Sequence, residues 1–247
     1  MSPDPYPTPN EGRERGPGGV RHLACPGVIE RILPPAVVVE ESFTDPAGLT
    51  LHPAEEPVVA NSVPKRRREF TTVRHCARRA LSRLGLPPAP ILPGVRGAPA
   101  WPAGVVGSMT HCDGYRAAVL ARVGAVASVG VDAEPHAPLP DGVLEAIALP
   151  AERTRTAALR AAHPAVCWDR LLFSAKESVY KAWFPLTHRW LDFAEADITV
   201  EPGGTFAARL LVPGPLLGGA ELTTFHGRFL VEGGLVLTAV AVPAPAG

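Results

Sequence analysis

VVGSMTHCDGYRAAVLARVGAVASVGVDAEP, residues 105–135, decides how this 247-residue chain is organised. Its alternating and β-branched composition reads as three strands, Val105–Thr110, Tyr115–Arg122 and Val126–Asp132, with a tight turn at Gly124 between the last two. Before it, Asn61 to Leu84 has the pattern of a helix. Asn61 or Ser62 can cap it, Pro64 is tolerated in its first turn, and Phe70, Val73, Ala77, Ala80, Leu81 and Leu84 form an apolar stripe. Gly85, Pro87 and Pro88 stop it. After it come helical patterns around 141–162 and from Trp168 to about Trp183. Strand-like segments then follow at 197–200, 205–212, 222–231 and 235–242. Strands and helices thus occur in two successive batches, which predicts an α+β protein in two halves, 23–124 and 125–247. No repeat of fixed period is evident.

Upstream, Val37–Glu40 resembles a short strand, whereas residues 1–22 are rich in Pro, Gly and charge and read as a disordered tail. The 24 basic and 24 acidic residues cancel, which argues against a general nucleic-acid binder. Ala36–Val39, the longest aliphatic run, is too short to cross a bilayer, and residues 1–22 lack the Leu, Ile and Phe of a signal-peptide core. Cys25, Cys76, Cys112 and Cys167 have no paired spacing, so free thiols in a reducing cytoplasm are expected. Only three of the basic residues are Lys, and two of them, Lys176 and Lys181, share one segment.

Three elements carry candidate chemistry. In Gly130-Val131-Asp132-Ala133-Glu134-Pro135, strand alternation puts Asp132 and Glu134 on one face. That is the pattern of an exposed strand end, or of two oxygen ligands for Mg²⁺. In Phe173-Ser-Ala-Lys-Glu-Ser-Val-Tyr-Lys-Ala-Trp183, Glu177 and Lys181 share a helix face with Lys176 beside them. The pair reads as an ordinary intrahelical ion pair, or as a metal carboxylate flanked by phosphate-binding ammoniums. Gly107-Ser-Met-Thr-His-Cys112 reads as a strand-end loop whose hydroxyls, backbone N–H groups and His111 suit a phosphate. The helix before these strands exposes Arg66, Arg67, Arg68, Arg74, Arg78, Arg79 and Arg83, either a solvated face or the start of an anion site. Taken together, these residues point to Mg²⁺-dependent chemistry on a diphosphate-containing molecule.

Lys65-Arg-Arg-Arg-Glu-Phe-x3-Arg74, Trp101-Pro-x-Gly-x2-Gly-Ser-Met-Thr-His-Cys112, Gly130-Val-Asp-Ala-Glu-Pro135 and Phe173-Ser-Ala-Lys-Glu-Ser-x2-Lys-Ala-Trp183, in that order, resemble the 4′-phosphopantetheinyl transferase superfamily. The likeness is to its monomeric Sfp- and EntD-type branch, nearest the actinobacterial PptT-like members. It implies two α+β halves related by pseudo-twofold symmetry, with coenzyme A in the cleft between them. It also implies transfer of phosphopantetheine to a serine of an apo acyl or peptidyl carrier protein, releasing 3′,5′-ADP. By motif match Asp132, Glu134 and Glu177 would hold Mg²⁺, with Glu177 as general base. Lys176 and Lys181 would contact the phosphates, Lys181 also acting on the leaving group. Arg66, Arg74 and His111 would bind the adenosine end. Relatives often carry a phosphate-binding Lys in the loop corresponding to Ile91–Ala98; Pro93 stands there, and Arg96 would supply the charge. The alternatives are an Mg²⁺-dependent transferase using another nucleoside diphosphate, and a non-catalytic carrier-binding module of the same fold.

Overall fold

A computed structural model describes residues 27–245, so the tail expected at 1–22 lies outside the described residues. The elements run β1 (Val38–Ser42), α1 (Pro64–Arg83), β2 (Val105–Cys112), β3 (Tyr115–Arg122) and β4 (Val126–Pro135). Then come α2 (Val143–Ile147), α3 (Pro150–Ala162), α4 (Trp168–Thr187), β5 (Ala196–Glu201) and β6 (Thr205–Leu210). The short hairpin β7 (Leu216–Leu217) and β8 (Ala220–Glu221) precedes β9 (Thr224–Glu232) and β10 (Leu235–Pro243). One antiparallel sheet has the order β1-β3-β2, and a larger one has the order β4-β10-β9-β6-β5.

The two sheets share a plan. In each, a strand is followed by helical segments and then by a hairpin whose second strand inserts beside the first. The order β1-β3-β2 therefore recurs as β4-β10-β9, with β6 and β5 added to one side. The correspondence reaches the side chains. Pro53-Ala54-Glu55 opens a 3-10 turn and Pro150-Ala151-Glu152 opens α3, so a three-residue repeat exists that a search for a fixed period passes over. Both glutamates are fully buried. Glu55 accepts the His52 and Ile91 backbone N–H groups at 3.0 and 2.8 Å and pairs with Arg78 of α1 at 2.8 Å. Glu152 accepts those of Leu149 and Ile198, both at 2.7 Å, and pairs with Lys176 of α4 at 2.9 Å. Each charge is tolerated in the interior because both oxygens of each carboxylate have a donor and a cation stands beside it.

Apolar packing follows strand alternation. Tyr115, Ala117 and Val119 of β3 meet Val129, Val131 and Ala133 of β4 and Leu237 and Ala239 of β10 in a core shared by the two sheets. On the outer faces, α1 packs Ala77, Ala80 and Leu81 on Ala118 and Leu120, and α4 packs Leu171, Ala175 and Trp183 on the larger sheet. Along one border β2 and β4 run parallel without a backbone ladder. The Ser108 hydroxyl accepts Val131 N–H at 3.1 Å, and the Thr110 hydroxyl accepts Ala133 N–H at 3.0 Å. Gly107–Cys112 is therefore strand rather than the expected loop, and its hydroxyls are committed to β4.

Two helix ends differ from expectation. Helix α1 starts at Pro64 with Val63 as an N-cap that offers no side-chain bond, because Pro64 already removes one of the orphan donors. Helix α4 continues through Pro185 to Thr187, and His188, in left-handed backbone with φ 53°, closes it. Among the described residues no helix is long and apolar enough to cross a membrane.

The contact that sets the depth of α4 is at Gly130. A Cβ there would lie 2.0 Å from the Ser178 carbonyl oxygen and 2.6 Å from the Ala182 nitrogen, so helix backbone rests directly on strand backbone. The Ser128 hydroxyl donates to the Ala182 carbonyl at 2.6 Å, and Thr238 of β10 donates to the Ser174 carbonyl at 2.9 Å. Gly130→Ala is expected to lower unfolding free energy by about 1–3 kcal/mol or more, measured by urea titration, because neither backbone can yield locally.

Candidate active site

With α4 seated on β4, the side chains of Glu177 and Lys181 face the strand end that carries Asp132. The Lys181 ammonium donates to Asp132 Oδ1 at 2.7 Å and to the Val131 carbonyl at 3.2 Å. Thr110 stands 3.4 Å from the same carboxylate oxygen. The other one, Asp132 Oδ2, is buried and has no hydrogen-bond partner, which leaves a lone-pair site facing inward. Glu134 pairs through Oε2 with Arg170 of α4 at 2.9 Å. Burial first, and then the Asp132 charge, push the Glu134 carboxyl above its ordinary pKa, with Arg170 opposing. Burial also raises Glu177, against Lys181 and with Asp132. The three acids are thus electrostatically coupled. Among the described residues they do not close into a metal-ligand cluster, and Lys181 and Arg170 each engage one oxygen, of Asp132 and Glu134 respectively.

In front of this group lies a cleft of about 430 Å³ between α1, β2 and α4. Its walls include Arg66, Arg74, Arg96, His111, Glu177 and Lys181, six of the nine residues assigned a site role from the sequence. Arg74, expected on the exposed face of α1, is buried; its guanidinium lies 3.5 Å from the centre of the Phe70 ring, and its Nε has no partner. Burial lowers its pKa to about 10, which leaves it charged at neutral pH. Arg66 touches His111 Nε2. Burial, then the Arg66 charge, lower the His111 pKa to about 4, so the imidazole meets a ligand as a neutral hydrogen-bonding group. Arg96, with a left-handed φ of 54°, lies over the Trp190 ring at 5.6 Å. Cys112 is held protonated by burial and by the neighbouring acids, with a pKa of about 12.

Lys176 is the correction. Its side chain is 3% exposed, bonded to Glu152 at 2.9 Å and to the carbonyls of Phe193 and Ala196 at 2.6 and 3.0 Å. Adjacent helical residues diverge by 100°, so Glu177 facing the cleft turns Lys176 toward α3 and β5. Its ammonium braces the fold and is not presented to a phosphate in the cleft.

The sequence reading missed Arg170, and it gave the Ser108 and Thr110 hydroxyls to a phosphate where the fold gives them to the Val131 and Ala133 amides. Arg170 was legible in principle, since it lies seven residues, two helical turns, before Glu177. The hydroxyls needed knowledge that β2 borders β4.

A family model described as "4'-phosphopantetheinyl transferase N-terminal domain" matches residues 54–121, and one described as "4'-phosphopantetheinyl transferase superfamily" matches residues 128–236. The chain is 60% identical over 225 residues to the 4'-phosphopantetheinyl transferase Svp of Streptomyces mobaraensis, covering 89% of this chain and 91% of that one. It is 57% identical over 218 residues to PptT of Mycobacterium tuberculosis, covering 84% and 95%. It is 54% identical over 223 residues to Npt of Nocardia iowensis, covering 87% and 99%. The chain belongs to the 4′-phosphopantetheinyl transferase superfamily. Within it, the nearness to Svp, PptT and Npt places the chain in the actinobacterial PptT-like branch.

For this transferase, two outcomes follow from the geometry. Lys176→Met is expected to cost about 3–5 kcal/mol of stability, because it strands a buried glutamate charge, while coenzyme A affinity of the folded fraction is unchanged. Calorimetry of unfolding and of binding separates the two effects. The second concerns acid stability. The unfolded chain takes up a proton at His111 near pH 6.5, but the fold keeps the ring neutral down to about 4. Stability is therefore full above 6.5 and is lost as pH falls toward 4. His111→Asn is expected to flatten that slope in denaturant titrations across the same range.

Proposed function

We propose that this chain transfers the 4′-phosphopantetheine group of coenzyme A to a serine hydroxyl of an apo acyl or peptidyl carrier protein, releasing 3′,5′-ADP. The observation that carries the reading is the cleft itself, in which a buried arginine with an unpartnered nitrogen stands across from Glu177 and Lys181. Arg66, Arg74 and Arg96 supply positive charge for the phosphates of the donor, and neutral His111 supplies a hydrogen bond. In this reading the halves are 23–124 and 125–247, each giving one wall.

The buried, unpartnered Asp132 Oδ2 fits an oxygen-seeking cation such as Mg²⁺, and Glu134 and Glu177 are the further acids on that side. A divalent ion held by Asp132, Glu134 and Glu177 would neutralise diphosphate oxygens and stabilise charge on the phosphoryl group. Glu177 takes the proton of the attacking serine, a role favoured by a carboxyl that burial makes more basic than an ordinary glutamate. The serine oxygen forms its bond to the pantetheine-side phosphorus as the bond to the bridging oxygen breaks, and Lys181 stabilises or protonates that leaving oxygen. No covalent bond to the enzyme is involved.

Glu177→Gln keeps the shape and removes the base. Transfer of phosphopantetheine to a purified apo carrier, followed as a mass increase, is expected to slow by roughly 10²–10⁴-fold with coenzyme A binding retained. Asp132→Ala is expected to slow it at least as much. Parent-like rates in both variants at saturating Mg²⁺ would rule the assignment out, and turnover with ATP in place of coenzyme A would favour a different nucleoside diphosphate donor.

A further inference from the structure

Arg170 lies outside the residues assigned above, yet every nitrogen of its guanidinium is engaged. Nη1 donates to Glu134 Oε2 at 2.9 Å, Nε to the Ala137 carbonyl at 3.0 Å and Nη2 to the Pro138 carbonyl at 2.8 Å. The side chains of Arg170 and Glu134 are 16% and 21% exposed, so solvent screens the pair little. The two backbone anchors fix the plane of the guanidinium, and the remaining arm then fixes the carboxylate. The planar fork holds its donors in one rigid plane, whereas a lysine ammonium, which can also reach three acceptors, does so from a flexible stem.

The turn that Arg170 holds is not its responsibility alone. Cys167 N–H donates to His136 Nε2 at 3.1 Å, and Asp169 accepts the Leu139 N–H at 3.0 Å. The chain leaving β4 is therefore tied to the start of α4 at two further points. What Arg170 adds that these do not is the contact with Glu134. Lys181 does the equivalent for Asp132, but its ammonium is on a flexible stem with only one backbone carbonyl to steady it.

We propose that Arg170 is a positioning residue for the metal site: it holds Glu134 by one oxygen, offsets its repulsion from Asp132, and so presents the carboxylate to the divalent ion in a fixed orientation. This rests on the metal reading of Asp132, Glu134 and Glu177. Outer partners of metal ligands characteristically change metal affinity by roughly 10–100-fold when removed.

The test is binding of Mn²⁺ to the full chain in the presence of coenzyme A, counted as loss of the free-ion electron paramagnetic resonance signal. Arg170→Gln is expected to weaken Mn²⁺ by roughly 10–100-fold, with coenzyme A binding in metal-free buffer unchanged and circular dichroism that of the parent. Arg170→Lys, which keeps the charge, is expected to fall between the two and gives the answer if the Gln variant does not fold. In a Glu134→Gln background, adding Arg170→Gln is expected to cause no further loss. Parent-like Mn²⁺ affinity in both Arg170 variants, or a full additional loss in the double variant, would overturn the proposal. If instead Glu134→Gln and Asp132→Asn themselves leave Mn²⁺ affinity untouched, the metal reading fails first, and the role of Arg170 with it.

Discussion

Backbone-to-backbone contact between α4 and β4 at Gly130 is the constraint from which the site follows. Any side chain there would overlap the Ser178 carbonyl, so the helix would ride higher on the sheet. At the observed depth, Ser128 reaches the Ala182 carbonyl and Lys181 reaches both Val131 and Asp132. Arg170, two turns before Glu177, reaches Glu134 on the same strand. One missing methyl group thus fixes the distance between an acidic strand and a helix that carries both an acid and bases. Displacements of an ångström at such a site are enough to misplace reacting groups.

Charge is distributed around this contact by burial. The acids lie at the strand end, with a cation from α4 on each of Asp132 and Glu134, while the arginines lie across the cleft on α1 and in the loop before β2. Arg74 and Asp132 each keep one buried polar atom without a partner. Arg116 and Arg155 also keep an unpartnered Nε, so orphaned nitrogens are not confined to the cleft; Asp132 Oδ2 differs in being a carboxylate oxygen, an acceptor open to a cation.

The sequence made the architecture legible because periodicity and punctuation agree with the fold at most elements. The stripe on α1, the three strands of residues 105–135 and the late strands are as read, within a few residues. The placing of acids was legible where alternation suffices, as with Asp132 and Glu134 at the end of one strand. It was not legible where tertiary neighbours decide. Lys176 and Lys181 look alike in sequence, but a five-residue interval turns one toward Glu152 and the other toward Asp132. Arg74 was read as surface because charge normally stays wet, and it is buried because Phe70 and the cleft receive it. The Pro-Ala-Glu repeat escaped notice because three residues recurring once make no period, although they mark corresponding corners of the two sheets.

The seam between β2 and β4 has a further consequence. A strand bordering a sheet normally leaves its amides as a template for a foreign strand, and proteins guard against this with charge, bulges or cover. Here the Ser108 and Thr110 hydroxyls occupy the Val131 and Ala133 amides on the side of β4 away from β10. The strand that carries Asp132 and Glu134 is thereby shielded from edge-to-edge aggregation without being locked into a continuous ladder. The edge is covered twice over, by the body of β2 lying against it and by the two hydroxyls that take its amides.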